Sequence, residues 1–88
     1  MRTIVKNEVS GKEYLVSSTY TWDAGLETMV FAYDSTREDV MSWSEMYVEH
    51  YTDLEDMSDD HARVVNILAH EELHIDEYGY IDNLIMRA

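Results

Sequence analysis

The chain has 88 residues, a formal net charge of −13 at pH 7, 45% hydrophobic residues and no cysteine. This length fits a single domain spanning residues 1–88, and seven Tyr and two Trp exclude an intrinsically disordered chain. Without cysteine the chain forms neither a disulfide nor a thiolate metal site, which fits a reducing compartment. The N-terminus lacks the apolar segment of a signal peptide, and no apolar run approaches the roughly 20 residues of a membrane span. We therefore expect a cytoplasmic protein.

The negative charge is concentrated in the second part of the chain. Residues 1–37 hold five acidic and four basic side chains, whereas residues 38–88 hold fourteen acidic side chains and two arginines, a net charge of −12. Such a surface repels nucleic acids and membranes and attracts basic protein surfaces, including the grooves of nucleic-acid enzymes. An acidic surface also promotes solubility without any specific partner, so both interpretations stay open at this point.

The first half of the chain has the composition of β-strands. Residues 12–21 and 26–33 are rich in β-branched, aromatic and other apolar side chains, and residues 3–5 form a shorter candidate. Turns are indicated at residues 9–12 and 23–25, each of which contains a glycine. Because the strands follow one another at short intervals, we expect them to pair antiparallel.

The segment 40–51 is predicted to be a further strand, in which aromatic and acidic side chains share one face. Its alternation places two sets of side chains on opposite faces. One face carries Trp43, Glu45, Tyr47, Glu49 and Tyr51, and the other carries Ser42, Ser44, Met46, Val48 and His50. Rings beside carboxylates suit contacts with a basic protein surface, so this strand is a candidate contact element.

The C-terminal third of the chain has the apolar spacing of an α-helix. Ser58, with the two acids after it, is the expected helix start, and an earlier start near residues 52–53 is the alternative. The residues that repeat with the helical period are Met57, His61, Val64, Val65, Leu68, Glu72 and Ile75. Gly79 is the expected terminator, and residues 80–86 could add a short amphipathic turn. The prediction is an α+β fold, a three- to four-stranded antiparallel sheet covered by one main C-terminal helix.

A five-residue segment beginning at His70 matches the H-E-x-x-H pattern of zinc peptidases. In those enzymes one helix face presents two histidines to the metal, and the glutamate activates the bound water. On the predicted helix, His70 and His74 lie about 200° and 240° from Leu68, away from the apolar side. Glu72 also places a charge where these enzymes prefer an uncharged residue. A surface zinc site of His70, His74 and Glu77 is the alternative, and we expect neither a metal nor another cofactor.

Other candidate ligands give weaker signals. His61 lies on the apolar side of the predicted helix and is expected to be a half-buried structural residue rather than a ligand. The acidic run 53–60 lacks the glycine and the spacing of a calcium-binding loop. Three glycines in the whole chain exclude most nucleotide cradles.

Two short segments and two single residues carry a resemblance to a group of phage proteins. They are Glu27-Thr28-Met29-Val30-Phe31, Ser42-Trp43-Ser44-Glu45-Met46, Tyr51 and His61. The chain resembles small proteins of bacteriophages and their bacterial hosts that carry an E-T-M-V-F strand, a W-x-E-L segment, an R-Y or similar pair and an acidic helix with a histidine. The resemblance covers residues 20–66, with Met46 in place of the usual leucine and His50 where a basic residue often precedes Tyr51. It implies a phage or mobile-element origin and supplies no catalytic residues.

Charge and resemblance together predict a non-enzymatic acidic inhibitor of a host nucleic-acid-binding defence protein, similar to anti-CRISPR and anti-restriction proteins that mimic DNA. A basic channel that accepts phosphates also accepts carboxylates, and the association is fast and salt-sensitive. The candidate contact residues are Glu45, Tyr47, Glu49, Tyr51, Asp53, Glu55, Asp56, Asp59 and Asp60. The expected partner is a basic host protein such as a CRISPR effector or a restriction nuclease, without direct binding to nucleic acid or membrane.

Two alternative functions follow from the sequence. One is a phage-derived interaction module without a defence role, and the other is a minimal zinc-dependent hydrolase built on the H-E-x-x-H segment. The chain is expected to be a monomer or a homodimer, and an exposed edge strand is one element through which two copies could pair.

Overall fold

The computed structural model describes residues 1–85 as five β-strands and one α-helix. The bounds are β1 Arg2–Lys6, β2 Glu13–Thr21, β3 Gly25–Asp34, β4 Asp39–Val40, β5 Tyr47–Tyr51 and α1 Leu54–His70, with a 3₁₀ turn at Asp82–Leu84. The predicted α+β fold, an antiparallel sheet covered by one main helix, is confirmed, with one short strand more than expected. No helix in the described part of the chain is long and apolar enough to cross a membrane.

All strands of the sheet pair antiparallel, as their succession along the chain predicts. β1 pairs with β2, and β2 pairs with β3 over nine residue pairs. β5 and β4 share the remaining edge of β3, with β5 beside its first half and β4 beside its end. Gly25 begins β3 with φ +75°, a backbone conformation that residues other than glycine rarely adopt, and it closes the β2–β3 hairpin. β3 is therefore the central strand of the sheet.

The hydrophobic core lies between the sheet and α1. Alternate residues of four strands point toward the helix, because successive side chains of a strand project to opposite faces. The buried residues of this core are Val5, Tyr14, Val16, Val30, Tyr47, Val64, Leu68, Ile81 and Leu84. Full burial of one aliphatic side chain contributes about 1.5–3 kcal/mol, so this cluster supplies most of the driving force for folding in so short a chain.

The prediction that residues 40–51 form one continuous strand is wrong. The chain leaves the sheet after Met41, whose amide donates to the Ala32 carbonyl over 2.9 Å. It returns at Met46, whose amide donates to the Val30 carbonyl over 2.7 Å. Residues 42–45 lie between these two hydrogen bonds, where a regular strand would place a single residue opposite Phe31. These four residues therefore loop out of the sheet.

The looped residues 42–45 fold back over the sheet. Trp43 packs edge-to-face on Phe31, with ring centroids 5.2 Å apart. Glu45 consequently lies in a loop and shares no strand face with the later aromatic residues. The predicted alternation holds only within β5, where Tyr47, Glu49 and Tyr51 all project toward the helix side.

The helix begins four residues earlier than the expected start at Ser58, so that start is wrong and the alternative near residue 53 is confirmed. Asp53 is the N-cap, and its Oδ1 accepts a hydrogen bond from the Glu55 amide over 2.6 Å. Glu55 and Asp56 occupy the first turn, where carboxylates interact favourably with the positive end of the helix dipole. A short acidic side chain at the cap decides the start because it satisfies an amide that has no partner within the helix.

The helix ends at His70, and the predicted terminator Gly79 is wrong. Asn7, in the turn after β1, donates from Nδ2 to two main-chain carbonyls at the helix end, each over 2.7 Å. The Glu8 amide donates to a third carbonyl of the last turn over 2.9 Å. These distant donors take carbonyls that a continuing helix would use for its own amides, so the helix stops there.

The segment after α1 folds back onto the sheet. Ile75 and Ile81 form an antiparallel bridge, and Gly79 lies in the turn between them with φ +90°. The Ile81 amide donates to the Met46 carbonyl over 2.8 Å, next to the start of β5. Gly79 therefore closes a turn that returns the chain to the core, rather than ending a helix.

The expected turn within residues 80–86 corresponds to the 3₁₀ turn at Asp82–Leu84. Leu84 is fully buried against the core, whereas Ile85 is exposed. Met86, the last residue of the expected turn, lies outside the described residues.

Candidate functional site

A buried carboxylate, Asp60, lies at the centre of a polar network between β5 and α1. Asp60 is 6% exposed and accepts hydrogen bonds from the Tyr47 hydroxyl over 2.8 Å and from the Tyr51 hydroxyl. The Arg63 Nε donates to the other carboxylate oxygen over 2.7 Å. Both tyrosines project from one face of β5, and Asp60 and Arg63 lie one turn apart on α1. These donors compensate a charge that is otherwise costly to bury.

The hydrogen bonds keep Asp60 ionised. Burial on its own would raise the pKa of Asp60, but the hydrogen bonds from Tyr51, Arg63 and Tyr47 outweigh burial and leave the pKa below its usual value. Burial, reinforced by the hydrogen bond to this carboxylate, raises the pKa of both tyrosine hydroxyls. At neutral pH the network is therefore an aspartate–arginine ion pair with two neutral phenols, and none of these groups is poised to exchange a proton.

A second polar cluster surrounds His61, the next residue of α1. His61 Nδ1 lies 2.6 Å from Ser18 Oγ and Nε2 lies 2.8 Å from Thr3 Oγ1, while Ser18 Oγ also lies 2.6 Å from Thr28 Oγ1. Burial, followed by the charge of the N-terminal amine, lowers the pKa of His61, so its ring is neutral at pH 7. Ser18 and His61 have the contact of a nucleophile and its base, but Ser18 is fully buried and closed to substrate. The cluster instead ties α1 to the sheet, as expected for a structural histidine.

An open groove of about 460 Å³ runs between β5 and the first turns of α1. Its lining residues are Glu49, His50, Tyr51, Asp56, Asp59, Asp60 and Arg63. Five of the nine predicted contact residues therefore meet at one place. Arg63 is paired with Asp60, so Glu49, Asp56 and Asp59 are the acids of the groove that have no basic partner within residues 1–85.

The other four predicted contact residues lie outside the groove. Tyr47 is part of the hydrophobic core and is only 5% exposed, which removes it from any contact surface. Asp53 and Glu55 are exposed at the start of α1 and extend the acidic surface beyond the groove. Glu45 lies in the loop before β5, where it accepts a hydrogen bond from the Tyr80 hydroxyl over 3.4 Å.

The predicted helix face of the H-E-x-x-H segment does not form. His70 is the last residue of α1, and its Nδ1 lies 3.2 Å from Glu8 Oε2, whereas His74 lies beyond the helix. Glu77 is exposed in the turn before Gly79. Within residues 1–85, no group of three histidine or acidic side chains is arranged to hold a metal ion. His70 and His74 therefore do not lie at positions i and i+4 of one helix, as the hydrolase alternative requires.

An exposed aromatic tip, at the end of the β2–β3 hairpin, escaped the sequence prediction. Trp22 is 89% exposed and Tyr20 is 69% exposed. Tyr20 pairs with Leu26 and Leu26 pairs with Tyr51, so the tip lies at the same end of the sheet as the entry to α1. The signal in the sequence is a tryptophan next to a predicted turn, where a large apolar side chain has no strand partner.

No protein-family profile matches the chain, and neither a curated protein nor a solved structure matches it. The resemblance to small phage proteins therefore stays a prediction. The geometry of the groove and of its surroundings is therefore the basis for inferring a function.

Proposed function

We propose that the protein is a non-enzymatic inhibitor that binds a basic, nucleic-acid-binding surface of a host defence protein. The observation that supports this most directly is the groove between β5 and α1, where Glu49, Asp56 and Asp59 surround one opening. Arg63 lines the same groove, but its ion pair with Asp60 prevents it from offsetting these three charges. A CRISPR effector or a restriction nuclease presents a basic channel with which such carboxylates would interact in place of phosphates.

The helix start extends this acidic surface in an ordered way. Asp56 and Asp59 are three residues apart on α1, so their Cβ atoms lie about 5–6 Å from each other on one side of the helix. Asp53 and Glu55 continue the acidic surface at the first turn. Arginine side chains that hold phosphates also form paired hydrogen bonds to carboxylates, which gives such a surface geometric as well as electrostatic complementarity.

The buried network keeps the two walls of the groove in a fixed relation. Tyr47 and Tyr51 of β5 both donate to Asp60 of α1, and Arg63 joins the same carboxylate. Because the acids stand on elements already fixed by these hydrogen bonds, little conformational freedom is lost on binding.

The aromatic tip supplies the apolar anchor that an acidic surface alone lacks. Trp22 and Tyr20 are exposed at the end of the sheet where β5 leads into α1. Tryptophan and tyrosine are enriched among residues that contribute most to binding energy. These two residues offer exposed rings for contact, whereas Tyr47, one of the two tyrosines among the predicted contact residues, is buried.

Two double variants with the same change of charge test the proposal. Asp56→Asn with Asp59→Asn neutralises the helix side of the groove, whereas Glu72→Gln with Glu77→Gln neutralises two exposed acids beyond α1. Each is compared with the wild type for inhibition of DNA cleavage by a panel of CRISPR effectors and restriction nucleases, at about 50 and 300 mM salt. We expect the groove variant to inhibit at least tenfold more weakly than the wild type, the control to differ by less than about twofold, and high salt to weaken inhibition.

Each other outcome has a defined meaning. Equal losses in the two double variants would assign the effect to total charge rather than to the groove. If the wild type inhibits none of the enzymes at low salt, the proposed function is wrong. Binding of the wild type to a nuclease without inhibition of DNA cleavage would favour an interaction module that has no defence role.

A further inference from the structure

A cavity of about 340 Å³ lies beside the last residues of β3, away from the acidic groove. The groove adjoins Tyr51, which pairs with Leu26 at the start of β3, whereas the cavity adjoins Ala32 near the other end of that strand. Sites that hold small molecules have volumes of roughly 300–1,000 Å³. The cavity is therefore large enough for a small ligand, and it shares no lining residue with the groove.

The walls of the cavity are mainly apolar. They include the side chains of Ala32, Met41, Met46 and Ile75, together with Tyr14. Met41 is 66% exposed and Ile75 is 46% exposed, so apolar side chains are also accessible to a molecule that enters from solvent. Methionine side chains are unbranched and adapt to ligands of different shapes. The cavity therefore favours a ligand whose body is apolar.

The hydroxyl of Tyr14 is a polar group of this wall that has no partner. Tyr14 is only 3% exposed, and its hydroxyl makes no hydrogen bond within residues 1–85. The hydroxyl still reaches solvent, because the unpaired side-chain atom that is sealed off in this part of the chain is Thr21 Oγ1. It therefore opens into the space that Tyr14 lines, which is this cavity and a more polar neighbouring one of about 300 Å³. Burial raises the pKa of the Tyr14 hydroxyl, so it stays protonated and can donate to a molecule in the cavity.

The charged residues of the lining also favour a hydrogen-bond acceptor on the ligand. Lys12 lines the cavity and forms no ion pair within residues 1–85. The carboxylate of Glu13 already accepts from the amide and the hydroxyl of Ser35. The carboxylate of Asp34 likewise accepts from the amide and the hydroxyl of Thr36. The lining thus combines unpaired donors with occupied acceptors, and an acceptor on the ligand would match it.

The balance of charge favours an uncharged ligand. Glu13 and Asp34 place two negative charges at the cavity against the one positive charge of Lys12, and the whole chain has a net charge of −13. A carboxylate ligand would be repelled by this field. An ammonium group can only donate, so it would leave the Tyr14 hydroxyl without an acceptor. A carbonyl oxygen meets neither obstacle.

We infer that this cavity binds a small, uncharged, apolar molecule with one carbonyl-type acceptor, to which the Tyr14 hydroxyl donates. An aromatic ketone has these properties, and acetophenone is a probe that fits the volume. For so small a ligand in an open site, a dissociation constant on the order of 1 mM is expected. Because the cavity and the acidic groove share no residue, failure of this inference would leave the proposed function intact, and the reverse is also true.

Titration with acetophenone, followed by the methyl NMR signals of the methionine and isoleucine residues, tests the inference. The signals of Met41, Met46 and Ile75 should shift and saturate, with a dissociation constant on the order of 1 mM. The signal of Met57, which is buried in the first turns of α1, should stay in place. Benzoate has nearly the same size but carries a charge, and we expect it to bind at least tenfold more weakly.

The variant Tyr14→Phe tests the hydrogen bond without changing the shape of the cavity. It should weaken the binding of acetophenone about threefold to tenfold, as the loss of one hydrogen bond predicts. Ethylbenzene has the same carbon skeleton without the acceptor, so its binding should change by less than about twofold in this variant. Tyr78→Phe is the matched control, because it removes the hydroxyl of an exposed tyrosine and should alter neither ligand.

The variant Ala32→Leu tests the location, since it fills the cavity and should abolish the binding of both ligands. Ala62→Leu, the same change at an exposed position of α1, should leave binding unaltered. Circular dichroism confirms that each variant is folded. Absence of saturable shifts up to about 10 mM acetophenone, ten times the expected dissociation constant, overturns the inference. So does binding that survives Ala32→Leu, benzoate that binds as tightly as acetophenone, or Tyr14→Phe that affects the two ligands equally.

Discussion

Replacement of Asp60 by Asn tests whether the buried network holds β5 against α1. The substitution keeps the shape of the side chain but removes the charge that accepts from Tyr47, Tyr51 and Arg63. Loss of one partner of a buried ion pair costs about 3–5 kcal/mol, because the other charge is left uncompensated. Arg63 is partly exposed and retains a hydrogen bond to the Leu84 carbonyl over 2.8 Å, so we reduce the expected loss to about 2–4 kcal/mol.

Urea denaturation followed by circular dichroism measures this change. A domain of this size has a free energy of unfolding of about 4–13 kcal/mol, so the loss should shift the midpoint clearly while the dependence on urea stays constant. Asp59→Asn is the control, since it makes the same change of charge at an exposed neighbour and should alter stability by less than about 0.5 kcal/mol. If Asp60→Asn destabilises no more than Asp59→Asn, the network does not hold β5 against α1 and the prediction is wrong.

The difference in stability between the wild type and Asp60→Asn should depend on pH in a defined direction. Because the folded pKa of Asp60 lies below the unfolded value of 3.8, its stabilisation is present above 3.8 and is lost as the pH falls through the folded pKa. The wild type and Asp60→Asn should therefore differ by a constant amount between pH 7 and about pH 5, and should converge in strong acid. A difference that disappears already near neutral pH would assign the effect to another group.

Three further predictions use the same denaturation assay. Asn7→Ala removes a fully buried side chain that donates to two carbonyls at the end of α1, so stability should fall by about 3 kcal/mol, against about 1 kcal/mol for Ser10→Ala. The pKa of His61 in the folded protein is below the unfolded value of 6.5, so its contribution to stability is complete above pH 6.5 and is lost as the pH falls through the folded pKa. His61→Gln should abolish this dependence of stability on pH. Gly11→Ala should cost about 1 kcal/mol, since φ is +76° although space is open, and a neutral result would refute strain there.

The strands of the first half were predictable because their composition and their local turns agree. Predicted segments 12–21 and 26–33 match β2 and β3 to within a residue at each end. Gly25 at the hairpin supplied the turn, and short connections dictated antiparallel pairing. Local information is sufficient wherever neighbouring residues in the chain are also neighbours in the fold.

The helix end and the loop before β5 were not predictable because distant residues determine them. Asn7 and Glu8 stop α1 from more than 60 positions away along the chain, and no local residue signals it. The excursion 42–45 depends on hydrogen bonds to β3 on both sides, which leave an alternating pattern intact in the sequence. Periodicity describes which face a residue would occupy in a regular element, but not whether the element continues.

The candidate site was partly predictable for the same reason. The acids of the helix start lie at the surface, as the charge pattern indicates, and Glu49, Asp56 and Asp59 meet at one groove. Tyr47 and Asp60 satisfy each other in the interior, which depends on the packing of β5 on α1 and not on either residue's neighbours. The composition was therefore sufficient to predict where the acidic surface lies. Only the packed structure distinguishes the acids exposed on that surface from Asp60, which is structural.

The side chain of Asn7 couples the turn after β1 to the end of α1, so that we expect these two regions to open only together. Its Nδ2 holds carbonyls at the helix end, and its Oδ1 accepts from the amides of Val9 and Ser10 over 3.0 and 2.9 Å. Amide hydrogens of the turn and of the last helical turn cannot exchange independently, because opening either region breaks the shared bonds. We therefore expect the turn after β1 and the end of α1 to open as one cooperative unit.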